Sequence, residues 1–235
     1  MKLRNKNLKI LKSNHVYSEE MEHDACGVGL VASTEGLKSR KVVEYGIDAL
    51  KAVWHRGAID ADGKTGDGAG IHIEIPKDFF EEKIEVTGHK HDNSELCVGM
   101  IFLPRNDYSA QEQCRTIVES ELTKRNFSIY GWRQVPVDPS VLGEKAEQTR
   151  PEITQVLFTY NDKKVVNKSL EQKLYETRRV IEKEALNNQL NNFYICSFSS
   201  KSIIYKGMFL AEALSDFYTD LKDERFISRY AIFHQ

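Results

Sequence analysis

The stretch Asp24-Ala25-Cys26-Gly27-Val28-Gly29-Leu30-Val31-Ala32 decides how the chain is read. A cysteine stands where a polar leader meets the first apolar run. Residues 2 to 12 carry Lys2, Arg4, Lys6, Lys9 and Lys12 with no acid, and Glu19, Glu20, Glu22 and Asp24 follow. Cleavage between Ala25 and Cys26 would put a thiol and a free α-amine on one residue. Such an amine has an ordinary pKa of about 8, so part of it is unprotonated at neutral pH and acts as a base. Nucleophile and base must lie within hydrogen-bond reach, and an N-terminal Cys meets that need internally. The competing reading is a small buried Cys opening a strand, since free Cys is among the most buried residue types.

Composition narrows the classes. The chain has 235 residues, 40% apolar content and a net charge of −2, enough for one large core or two modest ones and without the basic stripe of a nucleic-acid binder. The cysteines stand at 26, 97, 114 and 196, and no pair has zinc-site spacing. A basic start without an apolar h-region is not a secretory signal, and no run reaches the roughly 20 apolar residues of a membrane span. A reducing cytoplasm is the expected setting, and it suits a free thiol.

Periodicity supplies the elements. Cys26 to Ser33 reads as a strand. Ser39 caps a helix over 40–54 with Val43, Ile47, Leu50 and Trp54 on one face. Ile71 to Ile75 alternates and stops at Pro76. Leu96 to Leu103 is apolar throughout, which predicts a strand buried on both faces. A helix over 107–124 carries Ala110, Cys114, Ile117, Val118 and Leu122 inward. Strands follow at 127–137 and 153–160. Ser169 with Gln172 reads as a capping box for a helix to about Leu190, with Leu170, Leu174, Ile181 and Ala185 inward. Residues 193–199, 202–205 and 229–234 complete the strands. Strands occurring both as hairpin neighbours and across long helices predict a layered α/β or α+β fold in one domain after the leader.

Between Gly57 and Gly70 lies a loop with five glycines and three aspartates. Glycine permits close backbone approach, which suits a site wall. Gly57 to Gly63-Lys64-Thr65 places five residues between glycines where a phosphate loop has four. Asp60-Ala61-Asp62-Gly63 starts like a calcium loop, but the twelfth position from Asp60 is Ile71 instead of Glu. Gly27-Val28-Gly29-Leu30-Val31-Ala32 matches a dinucleotide fingerprint but begins a strand instead of opening a helix. His55 and His72 have no partner at an interpretable spacing and read as structural.

Three runs in order, Cys26-Gly27-Val28-Gly29, His55-Arg56-Gly57-Ala58 and Thr65-Gly66-Asp67-Gly68-Ala69-Gly70, resemble the amidotransferase domain of the glutamate synthase large chain. Phe193-Tyr194-Ile195-Cys196-Ser197, Ile204-Tyr205-Lys206-Gly207-Met208 and Phe217-Tyr218-Thr219-Asp220-Leu221 extend the resemblance over nearly all of 26–235. It implies a class II glutamine amidotransferase with an α+β, four-layer αββα N-terminal-nucleophile (Ntn) hydrolase fold, incomplete at the C-terminus. Residues 1–25 would be a leader or propeptide and 26–235 the front portion of the type-2 domain.

The resemblance implies that Cys26 attacks the side-chain amide of glutamine, releasing ammonia and then glutamate. Arg56, Gly57, Asp67 and Gly68 are candidate site-wall residues, although Arg56 reads equally as a structural arginine and Asp67 as a turn residue. In the family an anchoring Arg follows His-Gln, and an Asn-Gly oxyanion pair and a further Asp come later; this sequence ends at Ile232-Phe233-His234-Gln235. The expectation is therefore a C-terminally shortened domain, poorly active or inactive alone, with β-strand 229–234 left as an unpaired edge. No cofactor is expected on these residues. FMN, an iron–sulfur cluster, the remaining synthase domains and a small electron-donating subunit are implied for the complete enzyme, with pyridine nucleotide and ferredoxin both open as electron donors. Alternatives are another class II amidotransferase, or a folded non-catalytic module for assembly or regulation.

Overall fold

The computed structural model describes residues 6–7, 9–10, 12–13, 27–91, 94–162 and 168–235. Its strands are β1 (Val28–Ala32), β2 (Ala69–Glu74), β3 (Leu96–Leu103), β4 (Phe127–Gln134), β5 (Glu152–Tyr160), β6 (Tyr194–Ser199), β7 (Ser202–Gly207) and β8 (Tyr230–His234). The helices are α1 (Arg40–Ala52), α2 (Lys77–Val86), α3 (Tyr108–Lys124), α4 (Glu144–Thr149), α5 (Lys168–Asn187) and α6 (Leu214–Phe217). The strands form two four-stranded antiparallel sheets, ordered β1-β8-β2-β7 and β4-β5-β3-β6. The fold is α+β.

The first sheet is assembled from strands far apart in sequence. β8 lies inside it, pairing with β1 through Leu30↔Ile232 and with β2 through His72↔Ile232. The expected unpaired edge at 229–234 is therefore corrected: β1 and β7 are the edges. Sequence alternation identifies faces, but neighbours are chosen only on folding. Helix α1 packs across β8, β1 and β2. Ser39 caps it, its hydroxyl accepting from the Lys41 amide at 3.2 Å. Val43, Ile47 and Leu50 are buried, each worth about 1.5–3 kcal/mol of burial. Gly46 lets helix and strand close up, because a Cβ there would sit 2.5 Å from the Ala231 Cβ. Trp54 leaves the predicted stripe: it begins a short 3₁₀ turn, Trp54–Arg56, and is 54% exposed.

The second sheet is centred on β3, which pairs with β5 on one side and β6 on the other, as a strand without a polar face requires. Its outward residues Cys97, Ile101 and Leu103 join Cys114, Val118 and Leu122 of α3 and Leu170, Leu174 and Ile181 of α5 in one apolar cluster. Asp107 caps α3, accepting from the Ala110 amide. Ser169 lies within the first turn of α5 instead of ahead of it, so the predicted capping box is not formed there. Three helices escape the periodicity reading. α2 buries Phe79, Phe80 and Ile84 in an otherwise charged segment, α4 buries only Ala146, and α6 is a single turn that buries Leu214 and Phe217.

A polar tie runs through the core between the two sheets, where Met100 and Tyr205 lie. Arg133 on β4 donates two bonds to Asp220, at 2.7 and 2.6 Å, and a third to the Gln155 side chain at 2.7 Å. The Gln155 amide donates to the Tyr205 hydroxyl, which donates to Asp220. Burial, with the Asp220 charge beside it, pushes the Tyr205 hydroxyl well above its ordinary pKa. Among the described residues no helix is long and apolar enough to cross a membrane.

Candidate active site

The residue ahead of β1 is tied by a backbone pair to the residue after β8. Gly27 donates to the Gln235 carbonyl at 2.7 Å, and Gln235 donates back to the Gly27 carbonyl at 2.8 Å. The residue before Gly27, the predicted nucleophile Cys26, lies outside the described residues.

Arg56 and Gly57 pack against this pair. A Cβ at Gly27 would lie 3.2 Å from the Arg56 Cβ, and one at Gly57 would fall 2.1 Å from Nε2 of Gln235. Gln235 is itself buried and donates to the Trp54 carbonyl at 3.4 Å. The Trp54–Arg56 turn thus seats on the Gly27–Gln235 pair because glycine on either side leaves room for it. Arg56 remains exposed.

Asp67 and Gly68 lie elsewhere, on the wall of a cavity of about 630 Å³. Gly68 has φ +132, a conformation that glycine adopts without strain. The Asp67 amide donates to the Ala58 carbonyl at 3.3 Å, while its side chain is exposed. So the four wall candidates separate into two pairs. Arg56 and Gly57 brace the β1–β8 junction, and Asp67 and Gly68 open into the cavity.

Strand register places further polar groups on that cavity. His234 pairs with Val28 on one side and Gly70 on the other, and Gly70 pairs with Lys206. Lys206 donates to the Tyr194 hydroxyl at 2.7 Å and sits 4.6 Å from that ring's centre. His72 also lines the cavity and meets Tyr230 edge-on at 5.9 Å. Burial lowers its pKa, which favours the neutral imidazole. Lys206, Tyr194 and His234 escaped the sequence reading as cavity groups. Period-2 alternation says that alternate residues share a face, but not that these strands adjoin.

The other thiols are shut away. Burial pushes Cys97 well above the ordinary thiol range, Cys114 up to about 11 and Cys196 up to about 12. The thiolate is the nucleophilic form, so these three are poor nucleophiles at neutral pH.

Comparison with known proteins places this geometry. Residues 26–235 match the family model described as "Glutamine amidotransferases class-II". The chain is 56% identical over 229 residues to the glutamate synthase [NADPH] large chain of Azospirillum brasilense, covering 97% of this chain and 15% of that relative. It is 37% identical over 215 residues to ferredoxin-dependent glutamate synthase 2 of Synechocystis, covering 91% of this chain and 13% of the relative. It is 36% identical over 231 residues to the ferredoxin-dependent glutamate synthase of Pyropia yezoensis, covering 97% and 15%. With that match spanning both sheets and all four candidate residues, the chain belongs to the class II glutamine amidotransferases.

Proposed function

We propose that this chain carries the glutamine-hydrolysing step of a glutamate synthase, with Cys26 as nucleophile. The observation that carries the reading is that the family match begins at residue 26, while Cys97, Cys114 and Cys196 are buried with raised pKa values. Residues 1–25 are then a leader removed at the Ala25–Cys26 bond, and 26–235 belong to the amidotransferase domain. The two sheets become the inner layers of the αββα arrangement. Helix α1 against the first sheet, and α3 and α5 against the second, support that assignment.

The chemistry follows from one residue holding thiol and amine. The thiol proton passes to the α-amine, and the thiolate adds to the side-chain amide carbon of glutamine. The amine returns the proton to the departing nitrogen, the C–N bond breaks, and ammonia leaves a γ-glutamyl thioester. Water loses a proton to the same amine and adds to the thioester carbon. The C–S bond breaks, glutamate leaves, and the thiol regains its proton. Arg56 and Gly57 hold the start of β1 in place, and Asp67 and Gly68 wall the substrate.

The relatives are named as glutamate synthases and are much longer polypeptides, and the family resemblance implies a use for the ammonia there: reductive synthesis of glutamate from 2-oxoglutarate. That half of the reaction would draw on FMN, an iron–sulfur cluster and an electron donor, which a small subunit or ferredoxin would supply. Among the described residues no group of three or more His, Cys, Asp or Glu could hold a metal ion. A reducing compartment such as the cytoplasm suits the thiol.

The test is glutamine-dependent glutamate release by the natural polypeptide carrying these residues, compared with its Cys26→Ser variant. Loss of at least about a hundredfold is expected for removal of a covalent nucleophile. Activity within a few-fold of the parent would overturn the reading.

A further inference from the structure

Thr65 stands out in the glycine-rich loop. Asp62, Gly63 and Lys64 are exposed, yet Thr65 is 2% exposed. Its hydroxyl donates to Oδ2 of Asp62 at 2.5 Å and accepts from the Ala146 amide, in the first turn of α4, at 3.3 Å. Oδ1 of Asp62 accepts from the Lys64 and Thr65 amides at 2.9 and 2.7 Å. These bonds hold the Asp62 carboxyl well below the usual carboxylate range.

The contact with α4 is close-packed. A Cβ at Gly143 would fall 2.2 Å from Oδ2 of Asp62, 2.4 Å from the Thr65 hydroxyl and 2.6 Å from the Thr65 amide nitrogen. Gly143 has φ −75, which any residue adopts, so its missing side chain serves contact and not backbone conformation. On the far side, a Cβ at Gly66 would meet the Phe209 carbonyl oxygen at 2.7 Å. The loop is therefore gripped on two sides, and it leaves the grip directly into Asp67 and Gly68 on the cavity wall. Lys145 adds an outer tie to Asp60 at 2.6 Å, but both partners are substantially exposed.

We infer that Thr65, seated by Asp62 and Gly143, is a positioning residue that sets the cavity wall against which the substrate is held. This rests on the glutamine-hydrolysing reading above. A wall displaced by about 1 Å costs up to about a hundredfold in a reaction that depends on alignment. An exposed tie such as Lys145–Asp60 contributes little.

The experiment labels Cys26 in the natural polypeptide with two electrophiles, a glutamine-shaped diazoketone and iodoacetamide. The first reports the fit of the wall, and the second reports the thiol alone. Thr65→Val keeps the shape and removes the hydroxyl. It is expected to slow labelling by the glutamine analogue about tenfold or more and leave the iodoacetamide rate within twofold. Thr65→Ser should restore the parent rate, Lys145→Met should match the parent, and Gly143→Ala should behave like Thr65→Val. Equal analogue labelling of Thr65→Val and parent overturns the positioning role while leaving the functional reading intact. An equal fall in both rates also overturns it, in favour of a purely structural role. Failure of the analogue to label Cys26 in the parent overturns the functional reading and this inference with it.

Discussion

Gly27 and Gln235 exchange both of their backbone hydrogen bonds, at 2.7 and 2.8 Å, across nearly the whole described chain. This pair ties the entry to β1 to the end of β8. The turn carrying Arg56 rests upon it.

Selective alkylation tests the thiol assignment. At pH 7.5, iodoacetamide should add once to the native protein, at Cys26, and reach the other three cysteines only in denaturant. With a pKa of about 12, Cys196 is thiolate in on the order of one molecule in 10⁴. Peptide mapping that finds native Cys97, Cys114 or Cys196 modified as fast as Cys26 would refute the assignment.

The leader should be absent from active protein. While Ala25 is attached, the Cys26 nitrogen is an amide and cannot serve as the base. Intact-mass measurement of active material should show a chain beginning at Cys26. Full activity with residues 1–25 still attached would rule out the free-amine mechanism.

Gly57→Ala should destabilise the fold by about 1–3 kcal/mol, the usual cost of overpacking. The added Cβ would meet Nε2, Cδ and Cγ of Gln235 at 2.1, 2.8 and 3.0 Å, forcing that buried side chain off the Trp54 carbonyl. In a double-mutant cycle, Gln235→Ala should recover part of the loss. Purely additive urea-denaturation energies would show that the two residues do not press on each other.

Arg133→Met leaves the Asp220 carboxylate buried without its bidentate partner. We expect a loss of about 3–5 kcal/mol in chemical denaturation. The combined Arg133→Met, Asp220→Leu protein should regain much of it, since apolar replacement of a buried pair is often neutral. A single-variant loss below about 1 kcal/mol would mark the pair as solvated.

His72 should make stability rise with pH. Its folded pKa lies below the ordinary 6.5 because burial disfavours the charge. Below about pH 6.5 the unfolded chain therefore binds the proton more readily. Its contribution is complete above that pH and is lost as pH falls toward the depressed folded value. Unfolding free energies between pH 5 and 8 should show this slope, and His72→Gln should flatten it. An unchanged slope in the variant would place the titration elsewhere.

The sequence by itself determined the elements with strong local patterns. The β3 run, the α1, α3 and α5 stripes and the cap at Ser39 follow from apolar spacing and hydrogen bonding within a few residues. The ordered Cys-Gly, His-Arg-Gly and Thr-Gly-Asp-Gly runs likewise carried the family. Tertiary structure decided what depends on contacts between distant residues. α2 and α4 form although their own apolar pattern is sparse. Trp54 turns outward because the helix ends before its next turn is complete. β8 goes inside its sheet, between β1 and β2, because register is a property of pairs and not of one strand. The same pairing brings His234, Gly70 and Lys206 side by side, separates Arg56 and Gly57 from Asp67 and Gly68, and presses Thr65 against Gly143. Local chemistry names the groups that a site needs, and only the folded backbone sets the distances between them.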